Sequence, residues 1–590
     1  MARAANTGSL LIGLLERHGV EVIFGAAGGQ ICALIDAAAG PRAVRLGDRP
    51  GAAPRYLLMR DERSTAFAAD AYARLTGKIG VCCVTVGPGT TKLPSGLMES
   101  YNASVPLLCI ISDVNRDWYP LMHRGAATQA MDQEAMLRPL CKAIARLNAP
   151  EQLPEMLGAL LNRATSGRPG PVALIIPHDV FDQATNLDAA SARVNGQWGR
   201  FPQGVGAPDP EAVRRAVAAL AAAERPVMIA GGGVLLSRAW DAARELAEAL
   251  TLPVATTFTG RGALPDAHPL SAGLLGAIGT SAARTLVDEA DLLLLVGYKS
   301  AQNSTFSWQV PRADQRIIHL DVDPAEVGKV FAVEVGLVGD ARLGLEALRD
   351  ALPSRSPRAD RLERVRTLVQ AWRDEHAGQL ASDATPILPQ RVMGELAALA
   401  RPDDLVICDA SYVTGWGMLH FPITRSGFTV MAPRGSAGLG YSLPAAIGAA
   451  AACPDRRVIV LAGDGGIAYA LGEWATLALH DLKVTTLILN NSSLAWIDHW
   501  HRIYFEADGA PFRWNDVHFA KVAEGFGLLA RRVTEPAEVG PALRAALESP
   551  ASAVVELITS QEETPIPSYE DAMARAGRVT SYAGGQVAAD

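Results

Sequence analysis

Short, wholly apolar runs alternate along this chain with longer Ala- and Leu-rich stretches whose apolar positions recur at helical spacing. The runs Val22–Phe24, Val81–Val86, Leu107–Ile111, Ala173–Ile176, Val227–Ile229, Leu292–Val296, Val458–Leu461 and Thr485–Leu489 have the length of strands. Segments such as Leu10–Arg17, Glu211–Ala223 and Ala239–Leu250 read as helices between them. A strand apolar at every position, rather than at alternate ones, is buried on both faces, the condition of a parallel sheet covered by helices. The pattern predicts an α/β fold of doubly wound parallel sheets.

Two stretches interrupt the alternation. Asp182–Pro210 is rich in Asn, Gln, Gly and Pro, and Leu352–Asp360 is polar with two prolines and precedes a charged helix over Arg361–Glu375. They divide the chain into blocks of roughly 1–185, 205–350 and 380–560, a division that suits 590 residues, too many for one core. Residues 561–590 form a tail with Pro565, Pro567 and Gly584–Gly585, read as an active-site flap or a frayed end. No short-period repeat is visible.

Composition narrows the function classes. Hydrophobic residues make up 49% and charged residues 20%, ordinary for a globular protein with a large core. A net charge of −8 with scattered basic residues argues against nucleic acid as a partner. The first apolar stretch is broken by Glu16, Arg17 and His18 and lacks a small-residue cleavage site, unlike a secretory signal, and no run is long and uncharged enough to span a bilayer. The seven dispersed cysteines contain no CxxC and read as buried reduced thiols, which fits a cytoplasmic setting.

The third block carries the strongest motif. A buried strand runs into Gly463-Asp464-Gly465-Gly466, and after a helix a second buried strand ends in Asn490-Asn491, 27 positions beyond Asp464. In an open parallel sheet ligands bind beyond the carboxyl ends of strands, where Asp464 and Asn491 would emerge side by side. A carboxylate with an amide oxygen suits Mg²⁺, and glycines at a helix start let backbone N–H groups approach a diphosphate. A GDG turn alone is as often an ordinary turn. With the Asn pair at this spacing it resembles the thiamine-diphosphate site of the acetolactate synthase, pyruvate oxidase and benzaldehyde lyase superfamily. The resemblance implies Asp464 and Asn491 as metal ligands, Ser493 contributing its carbonyl, and Gly463, Gly465 and Gly466 at the cofactor. Upstream, APRGSAGLGYSLPAAIGAA resembles the segment that holds the cofactor bent, with Leu439 between its rings and the Ala437 carbonyl accepting from the aminopyrimidine. Ala410, Ser411 and Tyr412, after Asp409, lie where relatives contact the diphosphate.

The first block supplies the matching half. RDERSTAFAADAYARLTGK resembles the family's R-H-E-x-x-A-x-x-x-A-x-G-Y-A-R-x-T-G, which puts Glu62 on the glutamate that shares a proton with the pyrimidine. From the residues alone Glu62 also reads as a first-turn acid complementing a helix dipole. Asp61 stands where relatives commonly have His, either raising the Glu62 pKa or pointing to solvent. FGAAGGQICALIDAA matches a turn that lies over the thiazolium, bringing Gly28, Gly29 and Gln30 near the reacting carbon. VTVGPGTTKL matches TSGPGATN with Lys92 replacing Asn, and Gln129 takes the place of a glutamine facing the active site.

The middle block begins PVMIAGGGVLLSRA, strand, Gly-rich turn and helix, resembling a domain that holds FAD in some relatives and is structural in others. After Leu292–Val296 the chain reads GYKSAQNSTFSW, without the arginine and acidic pair of the flavin-binding pattern, so a mainly structural domain is expected, with FAD as the alternative. Beyond Asn491, SSLAWIDHWHRIYFE stands where acetolactate synthases read roughly xxLGMVxQWxxxFY. Trp496 replaces the methionine, with Ile497 beside it. Trp500 keeps the tryptophan that lines the acceptor pocket. His499 and His501 are candidate proton shuttles or surface histidines, and Thr414 and Trp416 are further pocket candidates.

The resemblance, from Leu10 to about Ile558, implies pyrimidine-binding, central flavin-domain-like and diphosphate/Mg-binding domains in that order. It also implies a homodimer or homotetramer with active sites between subunits. The expected activity is that of a 2-oxo acid decarboxylating carboligase, acetolactate synthase-like, working through a C2 ylide and an enamine. A carbon–carbon lyase or decarboxylase of the benzaldehyde lyase or 2-hydroxyacyl-CoA lyase type is the alternative, and a non-catalytic homologue a remote one.

Overall fold

A computed structural model describes residues 5–39, 54–122, 124–353, 356–505 and 508–566. The tail beyond 566, and with it most of the expected flap, lies outside them.

Three six-stranded sheets form, one per block. The first contains β1 (Val22–Gly25), β2 (Arg55–Leu58), β3 (Gly80–Val84), β4 (Leu107–Asp113), β5 (Ala143–Arg146) and β6 (Val172–Pro177), in the order β2-β1-β3-β4-β6-β5. The second contains β7 (Pro226–Ala230), β8 (Val254–Thr256), β9 (Ser271–Leu274), β10 (Leu292–Val296), β11 (Arg316–Asp321) and β12 (Val335–Val338), ordered β12-β11-β10-β7-β8-β9. The third contains β13 (Leu405–Cys408), β14 (Val430–Met431), β15 (Val458–Gly463), β16 (Thr485–Asn490), β17 (Leu529–Val533) and β18 (Ala553–Ile558), ordered β14-β13-β15-β16-β18-β17. Pairings within the first two sheets are parallel, as are those joining β13 with β15 and β15 through β18. The apolar runs thus sit where two-sided burial requires them.

The first and third sheets share one strand order, a repetition of topology rather than of a short sequence period. In each, the order reverses between its first and third strands, which places a ligand crevice at the carboxyl ends of β1/β3 and of β13/β15. The second sheet has the order of a dinucleotide-binding fold, with its reversal between β7 and β10.

The chain separates into two compact units. One combines Met1–Val205, Asp403–Val413 and Met431–Ile558, the other Gly206–Pro402, Thr414–Val430 and Thr559–Asp590. In the first unit, helices α1 (Glu62–Thr76) and α2 (Ser442–Ala452), each preceding the third strand of its sheet, pack against one another. Small residues make this possible: a Cβ on Gly448 would lie 2.0 Å from the Ala68 carbonyl oxygen, and in the separate helix Pro94–Ala103 one on Gly96 would lie 2.4 Å from Ala66 Cβ. The alanines of the Glu62 motif therefore serve a close helix seam.

Some sequence expectations shift at their edges. The run Val81–Val86 leaves the sheet after Val84, because Val86 N–H turns to Ser112 Oγ at 3.0 Å. The charged helix spans Ala359–Leu380, beyond the expected Arg361–Glu375 at both ends. Of the cysteines, Cys82, Cys83, Cys109 and Cys408 are buried; Cys32 is exposed, a correction explained by its place on the outer face of the helix Cys32–Ala39. Among the described residues, no helix is long and apolar enough to cross a membrane.

Candidate active site

Glu62 opens α1, and Asp61 is the N-cap, its carboxylate accepting from Arg63 N–H at 2.9 Å. Capping, then, is what Asp61 does, rather than pointing idly to solvent. Both alternatives read for Glu62 describe one geometry: an acid in the first helical turn, drawn to the positive end of the dipole, and mostly enclosed. Its Oε2 lies 2.7 Å from Lys92 Nζ, while Asp61 Oδ2 is 3.8 Å from the same ammonium. Hydrogen bonding to Glu62 is the main reason the Lys92 pKa is raised. The turn before Glu62 is anchored on Glu473, which accepts from Arg60 N–H at 3.2 Å and Asp61 N–H at 3.0 Å, while the Arg63 guanidinium donates to the Tyr469 carbonyl at 2.7 Å.

The other first-block candidates gather at the same strand ends. Gln30 donates to Gln129 Oε1 at 3.2 Å and accepts from Thr85 Oγ1 at 2.9 Å, so its amide is a fixed dipole. Gly89 lies between Thr85 and Glu62: a Cβ there would stand 3.0 Å from the Thr85 methyl and 3.6 Å from Glu62 Oε1. Gln129 is left-handed, with φ 66°. A Cβ on Gly87 would strike its carbonyl at 2.3 Å. Gly28 is needed sterically, since a Cβ there would meet Thr85 at 2.4 Å; at Gly29 it would enter open space. Buried Gln133 accepts from Gly87 N–H at 3.3 Å and donates to the Ser112 carbonyl at 3.0 Å, pinning the Gly87–Gly89 turn.

In the third block, Asp464 begins the short helix Asp464–Ile467 directly after β15 and is 2% exposed. Burial pushes its carboxyl up to about 7 despite nearby amides of Gly465, Ser492 and Ser493. Its Oδ2 is enclosed without a hydrogen-bond partner. A buried carboxylate oxygen left bare is costly in water-free surroundings and suits a cation. The asparagine pair divides its work. Asn490 turns inward, donating to Glu556 at 2.8 Å and to the Val517 carbonyl at 3.2 Å, while Asn491 Oδ1 accepts from Ser493 N–H at 3.2 Å at the strand end. Among the described residues, no three His, Cys, Asp or Glu side chains converge to cage a metal. A lone bare carboxylate oxygen fits an ion such as Mg²⁺, which leaves positions for phosphate and water.

The loops bearing the remaining candidates are held by buried charges. Asp409 Oδ1 accepts from Ala410 and Gly440 N–H, both at 2.9 Å, and its Oδ2 from Ser442 N–H at 3.0 Å, so its carboxylate ties two loops together. A Cβ on Gly466 would lie 2.7 Å from that carboxylate. Glu99 accepts from the N–H groups of Arg434, Gly435 and Ser436 at 2.7–3.0 Å and from Arg74 at 3.1 Å; Arg74 also pairs with Asp70, which accepts from Tyr441 at 3.0 Å. Immediately beyond the turn that Glu99 grips stand Ala437, at φ 55°, and then Leu439. Ser411 (φ 77°) and Ser492 (φ 52°) are left-handed as well, while positive-φ non-glycine residues also occur away from the candidates, as at Ser300, Phe306, Ser307 and Trp308. Removing Glu99 would leave three N–H groups without their acceptor and the buried Arg74 guanidinium with Asp70 as its remaining carboxylate. We expect Glu99→Ala to lose about 3–5 kcal/mol of stability, seen as a Tm lower by several degrees; an unchanged Tm would refute the bracing role.

Helix α3 (Ala495–Phe505) follows Asn491. Asp498, fully buried, is clamped by Arg502 at 2.8 Å and Arg513 at 2.9 Å. Burial works against its charge, but Arg513 and Arg502 outweigh it and hold its carboxyl below the usual range. His499 is buried, its Nδ1 2.9 Å from the Tyr412 hydroxyl, and the Tyr412 ring lies 5.3 Å from that of Trp496. His501 packs between Phe505 and Phe512 at 5.4 and 5.1 Å. His499 is therefore not the surface histidine of the alternative reading, while His501 is half-buried. Ile497 and Trp500 remain exposed on the same helix. In the other unit Thr414 is fully enclosed, and Trp416 stacks on His420 at 6.2 Å in a cluster with Trp372 and His376.

Sequence comparison adds the decisive fact. Three family descriptions match in order: the N-terminal TPP binding domain of thiamine pyrophosphate enzymes over residues 5–136, the central domain over 213–348 and the C-terminal TPP binding domain over 409–557. A probable acetolactate synthase large subunit of Methanocaldococcus jannaschii is 32% identical, covering 94% of this chain and 92% of its own length. The chain belongs to the thiamine pyrophosphate enzymes. It is a thiamine-diphosphate-dependent carboligase or lyase acting on a small molecule. The acetolactate synthase large subunit of Parasynechococcus marenigrum is 34% identical, over 94% of this chain and 88% of its own. A probable 2-ketoarginine decarboxylase of Pseudomonas aeruginosa is also 34% identical, over 94% of both.

For a thiamine pyrophosphate enzyme, the residues absent from the motif reading are those that brace it: Glu99, Gln133, Glu473, Asp498 and Glu556. Of these only Glu556 carried a usable sequence signal, a single acid inside the otherwise apolar strand Ala553–Ile558.

Proposed function

We propose that this enzyme is a 2-oxo acid decarboxylating carboligase of the acetolactate synthase kind. The observation that carries the proposal is full-length similarity to acetolactate synthase large subunits, with Glu62 and the bare Asp464 oxygen at the strand ends where such a reaction needs them. When bound, thiamine diphosphate supplies a nucleophilic carbon and an electron sink. The chain does the rest. Glu62 holds a proton at the pyrimidine ring nitrogen, and Gln30, fixed by Thr85 and Gln129, orients a substrate carbonyl. Asp464, Asn491 and the Ser493 carbonyl hold Mg²⁺. Gly463, Gly465 and Gly466 with Ala410, Ser411 and Tyr412 line the diphosphate, and Ala437 and Leu439 set the pyrimidine. Trp496, Ile497, His499 and Trp500 shape the acceptor side.

The domain assignment proposed is 1–185 for the pyrimidine, 205–350 for the central domain and 380–560 for diphosphate and Mg²⁺. A homodimer, or a tetramer built from dimers, completes the sites between subunits. A reducing, cytoplasmic setting suits the few dispersed cysteines, which contain no CxxC. The central domain works without FAD. Its Gly231 and Gly233 N–H groups already donate to the Val296 and Gly297 carbonyls at 2.8 and 3.1 Å, so neither serves a dinucleotide diphosphate. A flavin absorption band in the purified protein would refute this.

Products decide the activity. With thiamine diphosphate and Mg²⁺, pyruvate is expected to yield acetolactate, with no cleavage of benzoin or a 2-hydroxyacyl-CoA. Free aldehyde as the sole product, or cleavage of the latter two, would overturn carboligation in favour of a decarboxylase or lyase.

A further inference from the structure

We propose that Lys92 occupies Glu62 in the cofactor-free enzyme and swings to Asp61 when the pyrimidine of thiamine diphosphate docks, so that the Asp61–Lys92 pair sets how readily the cofactor loads. The inference rests on the proposed place of Glu62 at the pyrimidine and deepens it. It gives a joint role to two residues that both depart from the resembling motifs, Asp61 from His and Lys92 from Asn.

Three observations carry it. First, the Lys92 ammonium donates to Glu62 Oε2 at 2.7 Å, so the carboxylate proposed for the pyrimidine already has a cationic partner. Second, the two departures meet in space. Asp61 Oδ2 stands 3.8 Å from the same Nζ, about 1 Å beyond a charge-assisted hydrogen bond. The other oxygen of Asp61 caps α1 by accepting from Arg63 N–H at 2.9 Å, and the Arg63 guanidinium is itself drawn to the Tyr469 carbonyl at 2.7 Å, which leaves Oδ2 to Lys92. Third, the cation is the member with room to move. The Lys92 side chain is 49% exposed and that of Glu62 14%, while the turn bearing Asp61 is anchored on Glu473.

Chemistry then requires the exchange. An ammonium beside a carboxylate favours the ionised carboxylate. The proposed reaction asks Glu62 for the opposite, a proton held at the pyrimidine ring nitrogen. One arrangement cannot meet both demands, so Lys92 has to leave. Asp61 makes leaving cheap, because the ammonium trades one carboxylate for another a short swing away instead of going unpaired. A partly exposed ion pair is worth up to about fivefold in an equilibrium, so the exchange tunes cofactor affinity without forbidding binding. Asp61 and Lys92 touch no reacting atom and are positioning residues.

The experiment titrates thiamine diphosphate with Mg²⁺ into the cofactor-free full chain as wild type, Lys92→Met, Asp61→Asn and the double variant. Met keeps the length of the lysine stem, and Asn caps a helix as well as Asp does. Lys92→Met should bind the cofactor about fivefold more tightly and Asp61→Asn about fivefold more weakly. With Met at position 92, Asp61→Asn should change affinity by less than about twofold, because the loss acts only through the lysine. Carbon NMR of wild-type protein labelled at the lysine ε-carbon gives a direct readout: the chain has seven lysines, so the Lys92 signal is assigned by its loss in Lys92→Met. That signal should shift on addition of thiamine diphosphate with Mg²⁺, and stay in place with Mg²⁺ and inorganic diphosphate, which lack the pyrimidine. Affinity unchanged or weakened in Lys92→Met would overturn the proposal. So would an Asp61→Asn loss of equal size in both backgrounds, or a Lys92 signal that ignores the cofactor. Failure of the underlying reading looks different: Glu62→Gln would keep its turnover, whereas failure of the exchange alone would leave Glu62→Gln inactive and Lys92→Met no tighter.

Discussion

Glu62→Gln is expected to cut turnover by at least about three orders of magnitude while leaving thiamine diphosphate affinity within a few-fold of wild type. Positioned acid–base groups contribute on the order of 10²–10⁴ to rate, and this carboxylate is the acid that the proposed mechanism requires at the pyrimidine. Gln fills the same space above Gly89 and keeps a hydrogen-bonding end but cannot exchange a proton there. The fold should tolerate the change. Glu62 is not the cap of α1, a task left to Asp61, and the preceding turn is held by Glu473 through backbone N–H groups that the substitution does not touch. Lys92 would lose its 2.7 Å partner but keep Asp61 at 3.8 Å. Single-turnover kinetics and a cofactor titration separate the outcomes. Turnover within tenfold of wild type would remove Glu62 from the chemistry. A large loss of affinity with normal turnover at saturation would make it a binding residue.

The sequence made the chemistry more legible than the scaffold that positions it. Asp464 and Asn491 are suggested by their spacing at two strand ends and Glu62 by a local motif resemblance, so all three can be picked out from short stretches of sequence. The sheets were legible for the same reason, because two-sided burial writes unbroken apolar runs. What holds the candidates in place was not visible. Glu99 acts on the Arg434–Ser436 turn, more than three hundred residues away in the chain. Gln30 and Gln129 were each picked out by local resemblance, but their mutual hydrogen bond depends on a left-handed residue in the loop after β4. The surface alternative for His499 failed for a related reason. Helical periodicity cannot show that Tyr412 packs over that face, since the contact is tertiary. The shared order of the first and third sheets likewise lies in topology, where sequences diverge freely as long as burial is kept.

Asp464→Asn should have opposite effects on binding and on the stability of the metal-free protein. The substitution keeps the shape of the side chain and removes its charge, so Mg²⁺ loses the only carboxylate proposed for its site. Metal-dependent affinity for thiamine diphosphate is expected to fall at least about a hundredfold, since even partners one shell further out commonly cost 10–100-fold. Stability should move the other way. Folding raises this carboxyl from 3.8 to about 7 by burying it, so the native state binds the proton more tightly than the unfolded chain. Its contribution is therefore favourable in acid, is lost as pH rises through that window, and above about pH 7 leaves a buried charge costing roughly a few kcal/mol. Asn carries no such charge. In EDTA its Tm should exceed that of the wild type at pH 8, and the advantage should shrink toward pH 5. Added Mg²⁺ and thiamine diphosphate should reverse the ranking, because binding stabilises only a protein with the carboxylate in place. Unchanged cofactor affinity in Asp464→Asn would refute the metal role. A metal-free variant no more stable than wild type at pH 8 would show that the bare Oδ2 carries no strain, and the case for a cation beside it would lose its physical ground.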